Sequence, residues 1–412
     1  MRYLPLTVLV SISLFVGAPA PAEDLVLAPY LEQVRDNHPA LQAARYRASA
    51  DAHRVAPAGA WEDPFVAIGP DDIHEADESG IIRYQISQTI PAPGKTSARK
   101  DVAAGRAASA QADLETTTRE VLVVATQTFF RALLNEHAID LNAELQELLQ
   151  DAIESGKARY RAGDAAHHEW LLAHAELAVL QTDRVRLVSG RRTLQAQLNE
   201  LRNKPPAEPI GHIDAQLSAT AALDVDSSAV ANSPEIRSLD GVVKAADAEL
   251  RSTRLAYLPD VVLQGMVEQP RKEMGDPTWG VMVGVTVPVF WLNKQNELRA
   301  AALEDRRAAL ADKETLANRL TAEISEARQQ LDSALETVAL YEKSVRPATE
   351  LALESARSSY AVGSGSLSEL IVAARARQTQ ELEYLAARID VELSKTRLTE
   401  LLSSPPVVRL TP

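Results

Sequence analysis

The sequence predicts a mainly α-helical protein with a small β part. Three observations carry that prediction: long stretches almost free of Gly and Pro, two short pairs of alternating segments, and a return of the whole pattern after about 195 residues.

In chain order, Arg2 is followed by the apolar run LPLTVLVSISLFVGA and small residues around Ala20-Pro21-Ala22, the pattern of a secretory signal peptide over 1–22. A membrane anchor is the alternative, but the run is about fifteen residues and a spanning helix needs about twenty. No later stretch is long and apolar enough to span, so a chain that crosses a membrane must cross it as strands. The 412 residues contain no cysteine, which removes disulfides and a lipid-modified N-terminal Cys. With 4% aromatic and 46% hydrophobic residues, much of the latter Ala, the composition describes packed helices. The net charge of -14 argues against nucleic acid as a partner.

The segment NHPALQAARYRASADAHRVAPAGAWEDP (37–64) returns as NSPEIRSLDGVVKAADAELRSTRLAYLPD (232–260), pairing Pro39 with Pro234 and Pro64 with Pro259. SQTIPAPGK returns as VTVPVFWLNK, pairing Pro91 with Pro288 and Lys95 with Lys294, and KARYRAGDAAHHEWLLA returns as RSSYAVGSGSLSELIVA, pairing Tyr160 with Tyr360 and Gly163 with Gly363. An ordered series over the whole length indicates a duplication. The expected division is a first repeat over 23–201, a Pro-rich linker over 202–232, a second repeat over 233–403 and a tail over 404–412. Each repeat reads as a helix of about twenty residues, two strands, a helix of about sixty, a tight Gly turn and a helix of nearly forty.

The strands fall at about 62–70, 80–90, 260–269 and 279–290. In GIIRYQISQTI, Ile82, Tyr84 and Ile86 alternate with Arg83, Gln85, Ser87 and Thr89. Val281, Val283, Val285, Val287 and Val289 share one face in the second repeat. Pro91 stops the first alternation, Gly94 lets the chain turn and Lys95 opens the long helix, so Pro91, Gly94, Lys95 and Pro288 mark strand-to-helix corners. Trp61, Phe65, Tyr84, Tyr257, Trp279, Phe290 and Trp291 lie in or beside the strands, as at the interfaces of a membrane β-barrel. A small sheet lying on the helices with its aromatics inward would explain them equally; the small, polar alternate face favours lipid on one side and water on the other. Four strands cannot close a barrel, and open edges are not tolerated in lipid. Three chains giving about twelve strands would solve this.

A sixty-residue helix is about 90 Å long. Leu316, Leu320, Ile324, Ala327, Leu331, Leu335 and Val338 step by four and three, as do Leu141, Leu145, Leu148 and Ala152, giving coiled-coil seams. A plain coiled-coil stalk has the same seam; the Ala between the Leu positions suits helices packed on two neighbours, as in the wall of a cylinder.

No nucleophile motif, phosphate loop or paired carboxylates are present, so neither an enzyme nor a cofactor is expected. His167 and His174 are seven apart, about 10 Å along a helix and too far to share one ion, and His168 has no ligand four residues on. A solvated polar tip is the expectation there.

Asn37-His38-Pro39, Ser87-Gln88-Thr89-Ile90-Pro91 with Gly94-Lys95, and the run RPATELALESARSSYAVGSGSLSELIVAARA from Arg346 to Ala376, with Pro347, Tyr360, Gly363 and Leu370 in place, resemble the outer-membrane efflux proteins of the TolC-like family. The Gln-x-Ile-Pro-x-x-Gly-Lys form is similar to relatives serving heavy-metal pumps. The resemblance implies a homotrimer: a twelve-stranded barrel in outer-membrane lipid, a twelve-helix α-barrel in the periplasm, a periplasmic adaptor docking at the tip turns around Gly163 and Gly363, and an inner-membrane pump of the RND type. It implies a tip gate at Glu169, Tyr360 and Glu369. Gly365 stands where the best-known member has an Arg that bonds across the iris, and Val372 replaces a second acidic ring, so closure by the same bonds is not implied. For Glu169 and Glu369 the other reading is plain charge at a helix N-terminus. The function implied is a passive exit duct for small toxic compounds or metal ions, against a periplasmic coiled-coil scaffold.

Overall fold

The computed structural model describes residues 24–71, 80–163, 167–215, 217, 227–270 and 276–402. The expected signal peptide, the acidic loop 72–79, part of the linker and the 404–412 tail lie outside the described residues. The elements are β1 (Leu25–Val26), α1 (Leu27–Asn37), α2 (Pro39–Ala58), β2 (Phe65–Asp71), β3 (Ile81–Ile90), α3 (Lys95–Ala162), α4 (His167–Leu201), β4 (Ile213–Asp214), α5 (Pro234–Leu255), β5 (Asp260–Pro270), β6 (Thr278–Thr286), α6 (Gln295–Leu340), α7 (Arg346–Ala361) and α8 (Leu367–Leu401). A π-helical turn at Tyr341–Val345 joins α6 to α7.

The matched Asn-x-Pro segments start equivalent helices for one reason. His38 and Ser233 hold extended backbone and accept hydrogen bonds from Ala40 N and Ile236 N, while Pro39 and Pro234 fill the first helical position, where no amide is needed. The helices then form lanes. α3, 68 residues and about 100 Å long, packs against α2 and α5 at one end and against α4 and α8 at the other. α6 follows α5 and then α8.

The lanes beside α3 are each built of two helices meeting end to end. At the first junction Arg202 bonds Gln33, and Glu200 acts electrostatically on His38. At the second, Ile236 of α5 packs with Leu398 and Leu401 of α8, and Arg119 of α3 bridges the Glu235 carboxylate and the Glu400 carbonyl. The first junction adjoins the main aromatic core, where Tyr30, Phe129 and Phe130 stack with Leu198 around the β1–β4 pair. The predicted second-repeat seam forms at the second junction: Leu320, Ala327 and Leu331 are buried with Val391 and Leu398, and Leu316, Ile324, Leu335 and Val338 pack beside them. Burial of each such Leu contributes about 1.5–3 kcal/mol.

α3 and α5 approach through glycine. A Cβ on Gly105 would lie 2.6 Å from Ala245 N, and one on Gly241 would lie 2.5 Å from Ser109 N, so the two backbones touch where neither has a side chain.

The four long strands form one antiparallel sheet, β2-β3-β5-β6. Its register places Val66, Ile68, Tyr84, Ile86, Leu263, Val267, Val281, Val283 and Trp279 on one face, nearly all of it exposed. The other face carries Arg83, Gln85, Ser87, Gln264, Glu268, Gly280 and Thr286. Arg83 is paired there with Asp71 and, at 2.8 Å, Glu268. β6 ends at Thr286, short of the expected 290. Val287 and Val289 therefore leave the alternation, Pro288 lies in a turn, and Lys294 N bonds Phe290 O at 3.0 Å instead of continuing a strand. No helix among the described residues is long and apolar enough to cross a membrane.

Two of these packing features can be tested by substitution. Gly241→Ala should force α3 and α5 apart, destabilise the protein by about 1–3 kcal/mol and lower its melting temperature; an unchanged or raised melting temperature, as for Gly→Ala in an unconstrained helix, contradicts the close approach. The Glu400 carboxyl is pushed up to about 7 by burial at the helix junction, against the pull of Arg397 and Arg119 and with Glu235 adding to the rise. A raised acid pKa means that the folded state binds more protons, so stability falls as pH rises from about 4.5 through about 7. Glu400→Gln should therefore raise stability at pH 8 by on the order of 2 kcal/mol and leave it unchanged at pH 4; parallel melting curves at both pH values would contradict this.

Candidate functional site

Two places concentrate the residues singled out in the sequence: the corner where strand becomes long helix, and the tip where the long helices turn back. At the corner, β3 ends at Ile90 as Pro91 removes the next ladder donor. Gly94, at φ 92, takes the left-handed conformation that turns the chain, and Lys95 N closes the turn on Ala92 O at 3.1 Å.

What holds this corner is a residue that no sequence pattern singles out. Asp260, the first residue of β5, accepts from Ala92 N at 2.7 Å and from Lys95 Nζ at 2.7 Å through the same Oδ1, and Lys95 Nζ also donates to Leu258 O at 2.8 Å. Both side chains are half-buried, so the pair is a partly shielded, hydrogen-bonded ion pair. It ties the corner of one repeat to the first strand of the other. The equivalent Lys294 is exposed, and its corner is held by Tyr257 Oη bonding Asn296 at 2.6 Å. The only sequence signal for Asp260 is its place beside Pro259, matched to Pro64.

At the tip, Gly163 and Gly363 cap α3 and α7 at φ 85 and φ 79, which only glycine adopts without strain. Tyr360 is buried: its hydroxyl donates to the Ala152 carbonyl at 3.1 Å, and the Arg159 guanidinium sits 5.5 Å from its ring. It packs with Ala152, Ile153, Ala173, Leu367 and Leu370, joining the two tip hairpins. Glu369 is exposed and closes a capping box with Ser366, its carboxylate accepting from Ser366 N at 3.1 Å while Glu369 N bonds Ser366 Oγ at 3.2 Å. Glu369 thus performs the helix-terminus role, while its exposure leaves it in contact with solvent at the tip. A Cβ on Gly365 would lie 2.9 Å from the Ser359 Cβ, so the turn as built has no room for an Arg at that position. Val372 is 68% exposed.

The Glu169 and His167 side chains lie outside the described residues. His168 is exposed, and His174 stacks edge-on with Trp170, ring centroids 5.4 Å apart. Among the described residues no three His, Cys, Asp or Glu converge on a metal position. Below the tip Arg375 pairs with Glu176 and Arg377 with Glu144 at 3.5 Å, so charges link α8 to α4 and to α3. The outward side of α4 leaves Leu171, Leu172, Val179 and Val185 exposed, and α7 leaves Leu351 exposed; these apolar residues have no cover within one chain.

Residues 225–404 match the family model described as outer membrane efflux protein. Toxin and drug export protein A of Aggregatibacter actinomycetemcomitans is 21% identical over 301 residues, 68% of this chain, and the match spans 63% of that relative's length. The structure of CusC, described in terms of folding and transmembrane channel formation, superposes with a TM-score of 0.81 at 12% identity, covering 95% of this chain and 96% of CusC. The outer-membrane channel OprN superposes with a TM-score of 0.79 at 17% identity, covering 92% of this chain and 90% of OprN.

The corner yields a prediction. Lys95→Met keeps the length of the side chain but strands the Asp260 carboxylate, and should cost about 2–4 kcal/mol. Adding Asp260→Asn should recover part of that loss, as read from melting curves in a double-mutant cycle. Additive losses would show that the pair does not hold the corner. Residues 225–404 are thus similar to the outer membrane efflux protein family, and the chain as a whole has the fold of the solved channels OprN and CusC.

Proposed function

We propose that this chain is one third of a homotrimeric exit duct, standing in the outer membrane and reaching into the periplasm, which conducts solute passively and performs no chemistry. The observation that carries this reading is the four-stranded sheet with one apolar face, one small polar face and two open edges, continuous at Pro91–Lys95 with a helix of 68 residues. Lipid would cover the first face, water the second, and neighbouring copies the edges. The uncovered apolar residues of α4 and α7 would be covered by the same neighbours.

The two repeats, 23–201 and 233–403, supply two strands and two helix lanes each. The tip turns at Gly163 and Gly363 receive a periplasmic adaptor, which couples the duct to an inner-membrane pump of the RND type. Glu169 and Glu369 provide acidic charge at the gate, and Tyr360 acts from within the wall, holding α7 to α3 through Ala152. The cargo is a small toxic compound or a metal ion, delivered by the pump, and the energy comes from that partner.

Mature protein added to planar lipid bilayers should open stable conducting steps. A protein that stays soluble and monomeric without detergent and conducts nothing would favour the scaffold reading. Glu369→Gln keeps a residue that serves equally in the capping box while removing the charge. It should raise single-channel conductance if the ring constricts the duct, and unchanged conductance would remove Glu369 from the gate.

A further inference from the structure

We propose that the π-helical turn at Tyr341–Val345 is the hinge on which the α7–α8 tip hairpin moves, held in place by a reciprocal Tyr–Glu clasp. The proposal rests on the duct reading above.

The turn has an origin in the sequence. From Lys95 to Tyr160 is 65 residues, and from Lys294 to Tyr360 is 66, so the second long helix carries one residue more than the first between equivalent points. An i→i+5 hydrogen bond passes over one additional residue compared with an α turn, so a π turn absorbs such an insertion without rotating the helix on either side. The packing shows the same insertion. Tyr341, Val345, Thr349 and Leu353, all half-buried, step by four residues three times running, where the seam above never takes more than two fours before a three. The first repeat has no such interruption: α3 is continuous, and around its equivalent position Asn142, Leu145, Gln146 and Leu149 are buried, with Asn142 Nδ2 bonding the Leu180 carbonyl of α4 at 3.2 Å.

On either side of the π turn the packing is apolar. Above it, Leu320, Ala327 and Leu331 of α6 are buried against Val391 and Leu398 of α8. Below it, Leu353 and Tyr360 of α7 pack with Leu367 and Leu370 of α8. The turn itself buries no residue, and Leu340 just before it is 58% exposed. Polar contacts replace the apolar seam here. Tyr341 Oη donates to Glu383 at 2.9 Å, and Tyr384 Oη donates to Glu342 at 2.9 Å, so two Tyr–Glu neighbours on antiparallel helices exchange bonds. Arg346 Nε donates to Glu381 at 3.1 Å, and its guanidinium lies 4.4 Å from the Tyr384 ring.

Two blocks held by apolar packing are therefore joined by a stretch with no fully buried residue, whose contacts are half-exposed and mostly polar. Such contacts exchange readily with water, whereas the blocks above and below lose buried surface if they separate. Motion of the tip hairpin concentrates at this joint, and the clasp sets its resting position. The device belongs to one hairpin only, since α3 and α4 lack both the turn and the clasp.

The test pairs two changes of opposite direction in planar bilayers. Tyr341→Phe with Tyr384→Phe keeps both rings and removes both bonds; the population of the open tip should rise by about tenfold, read as longer or larger conducting steps. Deleting Ser344, an exposed residue of the turn, restores the 65-residue spacing and should give a continuous α-helix and a stiffer, less conducting tip. Wild-type conductance in both variants, each tested separately, overturns the hinge; a wild-type protein that never conducts overturns the duct instead. Amide hydrogen exchange on the wild-type protein tests the hinge without any variant. Amides of 341–346 should exchange faster than those of 142–147, and equal protection would also overturn the proposal.

Discussion

A sheet that is apolar on one face, polar on the other and open at both edges cannot be stable alone in either lipid or water. In lipid the unpaired amides and carbonyls of β2 and β6 would each cost several kcal/mol. In water the exposed face of Val, Ile, Tyr and Trp would be an aggregation site. The rest of the architecture follows from resolving that constraint by repetition. The duplication gives four strands in place of two; in the proposed duct, neighbouring copies would supply the remaining edges and the helices would form lanes that continue the same wall below the membrane.

That arrangement puts particular demands on single residues. Each strand must turn into a helix without leaving an unpaired donor, which is why one oxygen of Asp260 serves both the Ala92 amide and the Lys95 ammonium. Four lanes must fit beside one another at close spacing, which the Gly105–Gly241 contact permits. Two of the lanes are built from helices joined end to end, and charges gather at the junctions: exposed Glu200 near half-buried His38 in one, the partly buried Arg119, Glu235 and Glu400 in the other. The repeats are alike in element order and unlike in detail. Lys95 is paired where Lys294 is exposed, and α3 is continuous where its counterpart is broken by a π turn.

What is legible in the sequence is periodic or local. The period of two in Ile82–Ile90, the four-three steps of Leu316–Val338, and the Pro and Gly that punctuate them are short-range consequences of backbone geometry. The role of Asp260 is not legible, because its partner Lys95 lies 165 positions away and no local pattern links them. The capping box of Ser366 and Glu369 is local and has a signature, yet the same glutamate also fits a gate; only its hydrogen bonds show the first role. Spacing places Tyr360 beside the Gly363 turn, but its burial against Ala152 depends on how the two hairpins meet, which sequence spacing does not encode.

The central claim is that β6 of one copy pairs with β2 of the next. Because the chain has no cysteine, introduced pairs report without background. Ala67→Cys on β2 combined in turn with Gly280→Cys, Met282→Cys and Gly284→Cys on β6 samples neighbouring registers on the small, polar face. Oxidation of membrane-embedded protein should convert at least one pair into a covalent ring of three chains. Folded protein that yields only single chains at every pair would contradict a shared barrel.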